Sequence, residues 1–273
     1  MYQNNFESES NIINTKTPAL KVINNNLAGK IKNAGFWIAD ENIISSKWKK
    51  NCITSCEENC VEHFVSTSPH LLKAEPNDDG DVFISGRAII NPRMCIIRRT
   101  ELLKLENGRF AGSWRVGDKE KKNSNHQPLF VCVRRYLIMF VDKNGIPLHE
   151  EPIQLTARGT FQYDFDTNYM QFRKSFMNVF CEAMKKSAVA MSDQWHAYLI
   201  FVPKLKSRIV TCSEGMNKGK KSNACHVESY EVPTLENYRE LCAAYNTVAN
   251  KLITDTFNKT VNWDNKYKNY DKK

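Results

Sequence analysis

Leu129 to Gly159 reads LFVCVRRYLIMFVDKNGIPLHEEPIQLTARG, and the fold depends on how this stretch pairs. From Leu129 to Val141 both parities are apolar: Leu129, Val131, Val133, Leu137, Met139 and Val141 on one, Phe130, Cys132, Tyr136, Ile138 and Phe140 on the other. A strand covered on both faces has this pattern. Its length predicts a bend or bulge, placed at Arg134 and Arg135, which interrupt it one per face. A guanidinium in that setting needs a carboxylate, a phosphate or several carbonyls. Asn144-Gly145 supplies the two positive-φ positions of a type I′ turn and so predicts a hairpin. Pro147 and Pro152 on the return donate no ladder hydrogen bonds, which makes its first half an edge or irregular. Alternation resumes with Ile153, Leu155 and Ala157 inward and Gln154, Thr156 and Arg158 outward.

Working outward, Gly35-Phe36-Trp37-Ile38 is read as the first buried segment. Val82–Thr100 predicts one or two strands split at Asn91-Pro92, with Arg87, Asn91, Arg93 and Arg99 on one face. After a turn at Glu106-Asn107-Gly108, a further strand carries Phe110 and Trp114 beside Arg109 and Arg115. Residues 117–128 read as a charged, flexible loop. Thr167–Lys186 has helical spacing, with Tyr169, Phe172, Phe176 and Phe180 inward. Trp195–Val202 reads as a buried strand on which His196 is structural. Arg208–Cys212 and Cys225–Tyr230 frame a basic loop, SEGMNKGKKSN, whose glycine spacing does not fit a phosphate-binding loop. Thr234 is the expected N-cap of a last helix. The fold class is α+β: a largely antiparallel sheet packed by two long amphipathic helices, an order of elements that allows an OB-like barrel. Residues 1–30 are expected to form a disordered polar arm and 31–257 a single domain (strand-rich 82–160, helix 167–187, hairpin 197–230, helix 234–257). Residues 258–273 are expected to form a basic aromatic tail.

The formal charge of +9 favours an anionic partner. Nine of the twelve arginines lie between Arg87 and Arg158, so most of the excess sits on the sheet-forming third. Nine cysteines, an odd number, and a polar start point to reduced thiols and a cytoplasmic setting. No apolar run approaches the roughly 18 residues of a membrane span, so no membrane partner is expected. Ile43–Val65 reads as a helix that lines up Cys52, Cys56, Cys60 and His63 on one stripe. That spacing fits no standard zinc pattern, and a thiol stripe is the better reading than a metal site. Asn77–Asp81 resembles part of a calcium loop but lacks the closing glutamate. His149-Glu150-Glu151, between two prolines, reads as an exposed turn. There is no HExxH, nucleophile elbow or dinucleotide fingerprint, so an enzyme is not favoured and no cofactor is expected.

Three segments, INPRMCIIRRTELL (residues 90–103), RRYLIMFVDKNGIPLHEEPIQLTARGTF (134–161) and YEVPTLENY (230–238), resemble a family of uncharacterised cyanobacterial proteins over roughly residues 35–260. That resemblance implies kinship and a bacterial cytosolic setting, and no activity. The residues themselves point to a nucleic-acid-binding protein, with single-stranded DNA favoured. The expected contacts are Arg87, Arg93, Arg98, Arg99, Arg109, Arg115, Arg134, Arg135 and Arg158 on a basic sheet. Trp114 and Tyr136 would be stacking faces, and Lys218, Lys220 and Lys221 a flexible clamp. The alternative is a structural or assembly subunit whose sheet and edge meet an acidic protein surface. The sequence sets no oligomeric state.

Overall fold

Apolar side chains on both faces put Val131–Phe140 in the middle of a sheet in the computed structural model, which describes residues 17–23, 34–49, 61–66, 84–89, 91–124, 128–187, 191–211 and 219–268. The strands are β1 (Ala19–Ile23), β2 (Gly35–Ala39), β3 (Val61–Ser66), β4 (Ile84–Ile89), β5 (Met94–Arg99), β6 (Leu103–Glu106), β7 (Arg109–Ser113), β8 (Val131–Phe140), β9 (Ile153–Arg158), β10 (Ile200–Phe201), β11 (Pro203–Thr211) and β12 (Lys221–Tyr230). The helices are α1 (Asp40–Ser45), α2 (Gly159–Ala183), α3 (Asp193–Ala197), α4 (Thr247–Lys259) and α5 (Asn265–Lys268). The main sheet runs β10-β5-β8-β9-β1-β2-β4-β3, with β6 pairing both β7 and β8. Every pairing is antiparallel except β1 with β9. No pairing joins β3 to β10 among the described residues, where the sheet is a curled half-barrel; closure into an OB-like barrel is not shown.

The two parities of β8 serve two cores. Tyr136, Ile138 and Phe140 face α2, whose inward stripe of Phe161, Phe165, Tyr169, Phe172 and Phe176 falls at helical spacing. Phe201 fills the centre of that core, with ring centroids 5.3–5.6 Å from Phe165, Tyr169 and Phe172. Leu137, Met139 and Val141 face the other way, against Ala249 and Ile253 of α4. On β9, Ile153, Leu155 and Ala157 are buried, as the alternation requires. α2 begins eight residues before the expected Thr167, because Phe161 and Phe165 extend its stripe toward the N-terminus.

Several local expectations are corrected. The bulge near Arg134 and Arg135 lies on the partner strand: the β5–β8 register shifts between Ile96 and Arg98. The type I′ turn forms at Asn107-Gly108 (φ 49° and 77°), joining β6 to β7, and not at Asn144-Gly145. There the Asp142 carboxylate accepts from Asn144 N and Ile146 N (2.9 and 2.8 Å), and only Gly145 has positive φ. Residues 1–30 contain a paired strand, β1, whose Leu20 is buried. Val61–Ser66 is a strand, which ends the expected helix Ile43–Val65. Trp195–Val202 is split between α3 and β10, so His196 sits on a helix. The second long helix is 13 residues, starting at Thr247 with Asn246 as N-cap, while Thr234 holds a turn instead. Tyr267 of the supposed tail is buried against Leu103 and Val133. In the 117–128 loop, Asp118 is buried and accepts from Lys121 Nζ, Arg115 N and Lys104 Nζ (2.9, 2.9 and 3.3 Å). Those partners draw its pKa down to about 2.

Gly86 sits where β2 and β4 approach closely. A Cβ there would lie 2.5 Å from Ile38 O and 2.6 Å from two ring carbons of Trp37. Gly86→Ala is therefore expected to cost about 1–3 kcal/mol or more, read from urea unfolding. A loss below about 0.5 kcal/mol would contradict this packing of β2 on β4.

Candidate nucleic-acid interface

A cation serves a polyanion only if it is accessible and not already matched, so the position of each charge decides the site. Arg134 Nη1 meets Asp166 Oδ1 of α2 at 2.7 Å. Tyr136 is completely buried and donates its hydroxyl to the same carboxylate. Burial first, and the Asp166 charge second, push the Tyr136 pKa well up, keeping that hydroxyl protonated. Arg135 donates to the Tyr267 hydroxyl and lies 4.7 Å over that ring. Arg98 and Arg99, consecutive in β5, point to opposite faces of the sheet. Arg98 donates to Phe257 O at 2.7 Å, capping the last turn of α4, and covers the Phe257 ring at 3.6 Å. Arg93 pairs with Glu231 at 3.2 Å.

The expected binding face is corrected accordingly. Tyr136 has no surface on which a base could stack. Arg98, Arg134 and Arg135 bind α4, α2 and α5 to the sheet, and Arg93 binds the chain just after β12. Of the other expected contacts, Arg109, Arg115, Arg158, Lys220 and Lys221 are exposed, while Arg87 and Trp114 are half-buried. Lys218 lies outside the described residues, as do Cys52, Cys56 and Cys60 and the Asn77–Asp81 segment. The His63 backbone is in β3, opposite Arg87, so no helical stripe reaches it. Among the described residues no group of three or more His, Cys, Asp or Glu is placed to hold a metal ion.

The β11–β12 hairpin concentrates accessible cations. Its inner end packs Leu205, Cys225 and Val227 into the core. Toward the tip, Ile209 is 70% exposed and Lys220, Lys221 and Asn223 are exposed as well. Residues 203–230 hold six Lys and Arg against two Glu. Lys204, Lys206 and Arg208 alternate along β11. Glu228 meets Lys204 at 3.3 Å and also pairs with Lys206, and Arg208 reaches Asp164 of α2 at 2.6 Å. Beside Asp164 on that helix stands Tyr163, 69% exposed. The sequence reading left out Lys204, Lys206, Arg208 and Tyr163. The alternate basic residues of PKLKSR, leading into a basic loop, were the available signal for the first three.

Away from the hairpin, a groove of about 1150 Å³ separates α4 from the β8–β9 connection. Its walls include Leu137, Leu252 and Trp263. Glu151 answers Lys47 and Lys259 at 3.4 and 3.2 Å, so its rim is less basic than the hairpin. No helix among the described residues is long and apolar enough to cross a membrane.

Residues 80–273 match the family described as "Domain of unknown function (DUF5895)". A protein of Invertebrate iridescent virus 6, "Uncharacterized protein 254L", is 39% identical over 254 residues, spanning 89% of this chain and 74% of that one. The uncharacterised family is thus shown, but the relative is viral and lends no support to a cyanobacterial setting. No solved structure matches the chain.

Proposed function

This chain belongs to the DUF5895 family, of unknown function, and from that premise we propose that it binds nucleic acid, single strands in preference, through the β11–β12 hairpin and the adjoining face of α2. One observation carries the reading: the hairpin leaves the core with exposed cations at its tip and an exposed aromatic ring, Tyr163, on the helix it grips. Single-strand binders combine a basic track for the backbone with aromatic faces for the bases. Arg109, Arg115 and Arg158 add exposed positive charge elsewhere on the surface.

The test is fluorescence anisotropy of a labelled single strand of about 30 nucleotides, a length that spans several binding footprints. Duplex DNA and RNA run beside it, at about 50 and about 200 mM salt. Binding is expected to be tightest for a single strand and to weaken steeply with salt. Tyr163→Ala is expected to cost about 1–3 kcal/mol of single-strand affinity, the contribution of one stacked base. No binding to any of the three at low salt would sink the proposal. A second reading, a subunit that meets a protein partner, draws on the exposed apolar side chains Val232, Leu235 and Tyr245 of the connection from β12 to α4 and Val248 in the first turn of α4.

A further inference from the structure

Arg99 of β5 and Arg173 of α2 point their guanidinium groups at the same atom. Arg99 Nη1 is 3.3 Å and Arg173 Nη1 3.8 Å from the thioether sulfur of Met170. A thioether is a weak acceptor and carries no charge. The Asp193 carboxylate stands 4.0 Å from Arg173 Nη2 and is 86% exposed, a geometry in which an ion pair contributes little. Two like charges therefore share one uncharged acceptor, with only the exposed Asp193 carboxylate to offset them; the Arg173 pKa is lowered, by desolvation first and by the Arg99 charge as well, against the opposing pull of Tyr169 and Asp193. A second group nearby also lacks a partner. His196 is 8% exposed, and its Nδ1 is buried without a hydrogen bond. It lies within electrostatic reach of Arg173, Asp193 and Arg99.

We propose that Arg99 and Arg173 form a seat for one phosphate-type oxyanion, with the Met170 side chain as its displaceable occupant and His196 beside it. Met170 is 43% exposed, so it can swing into solvent and leave both guanidiniums aimed at one position. A tetrahedral oxyanion offers each fork a charged acceptor, which a sulfur cannot. Burial first, then the Arg173 charge, holds the His196 pKa at about 4, so at neutral pH it adds a neutral imidazole and no third positive charge.

The seat also continues the hairpin track. Tyr163 and Met170 are seven residues apart on α2, two turns along one face and about 10 Å in rise. Lys174, exposed one turn further on, extends the same stripe. If the phosphate belongs to a nucleic-acid backbone, that identification rests on the function proposed above. A free phosphate or a phosphate monoester has the same chemistry and needs no such premise.

Calorimetric titration of inorganic phosphate into the full chain separates these cases. The wild type is expected to bind one phosphate saturably. Arg99→Gln and Arg173→Gln are each expected to weaken it by about tenfold or more, the loss of one charge-assisted contact. Met170→Leu is expected to leave binding intact. Thermal melts without phosphate check the fold: removing one of two repelling charges should leave Tm unchanged or raised. Arg173→Lys, which keeps the charge but loses the planar fork, is expected to fall between wild type and Arg173→Gln. No saturable heat in the wild type, or equal affinity in all Arg variants, overturns the seat. A labelled single strand is titrated in parallel. A strand that loses affinity with the same variants places a backbone phosphate in the seat. A strand that binds all variants alike, while phosphate discriminates among them, assigns the seat to free phosphate. A strand that never binds while phosphate does removes the nucleic-acid reading and leaves the seat standing.

Discussion

His149→Ala is expected to lower the unfolding free energy by about 3–5 kcal/mol, because it combines a cavity with an orphaned backbone donor. The ring is completely buried, not on an exposed turn as the flanking prolines and glutamates suggest. Its Nε2 accepts from Phe140 N at 2.9 Å, and its Nδ1 donates to Glu151 O at 2.8 Å. It stacks on Trp48 with centroids 4.9 Å apart and meets the edge of Phe140 at 5.9 Å. One neutral imidazole thus ties the end of β8 to the connection that leads into β9. Burial, helped by Lys49, draws its pKa down from 6.5 to about 4. The sign follows directly. Above pH 6.5 the ring is neutral in both states and the full stability is present. As pH falls from 6.5 toward 4, the unfolded chain takes up a proton that the folded one refuses, and stability drops. Below 4 this group costs nothing more. The loss across the window is about 3 kcal/mol. His196, also held near 4, acts in the same direction over the same range. Urea midpoints measured from pH 7.5 to 4 should fall in the wild type and fall less in His149→Gln. A wild-type midpoint flat across that window would contradict the buried neutral ring.

Asp166→Ala is expected to cost a further large amount, about 3–5 kcal/mol, the usual penalty for stranding a buried charge. Asp166 accepts from Arg134, Tyr136 and Gln162, the last at 2.6 Å from Nε2 to Oδ2. The single substitution leaves a guanidinium and a buried phenol with no acceptor between β8 and α2. Arg134→Met with Asp166→Leu removes the charges together and should recover the part of the loss due to the stranded guanidinium, though not that of the orphaned Tyr136 hydroxyl, so the double-mutant cycle should show coupling between Arg134 and Asp166. Additive single costs would mean that the pair does not act as a unit. Both variants should leave nucleic-acid affinity near wild type wherever they remain folded, because the hairpin does not use this pair.

The sequence exposed whatever depended on local period. The two-sided run of β8, the inward Ile153, Leu155 and Ala157 of β9 and the aromatic stripe of α2 all follow from spacings of 2 or 3.6 residues. It misled where one spacing suits two structures. Trp195–Val202 is too short an apolar run to separate strand from helix, and the expected helix Ile43–Val65 ran through Val61–Val65, which belong to β3. It was silent where a partner lies far along the chain. Arg93 finds Glu231 and Arg135 finds Tyr267 more than 100 residues away, so a basic sheet in sequence becomes a set of internal ties in the fold. Lys204, Lys206 and Arg208 were legible as an alternating strand. The turn of Tyr163 toward solvent was not, because the expected start of α2 at Thr167 left that residue outside the helix.

The most direct test of the central claim is the salt dependence of single-strand binding in the wild type and in the double variant Lys220→Glu, Lys221→Glu. Each phosphate contact contributes a slope of about 0.7 in log affinity against log salt for a single strand. The double variant should bind more weakly at about 50 mM salt, with a slope shallower by about 1.4. It should also unfold like the wild type, since both lysines stand exposed at the hairpin tip. Equal affinity and equal slope in the two proteins would contradict the hairpin as the nucleic-acid contact.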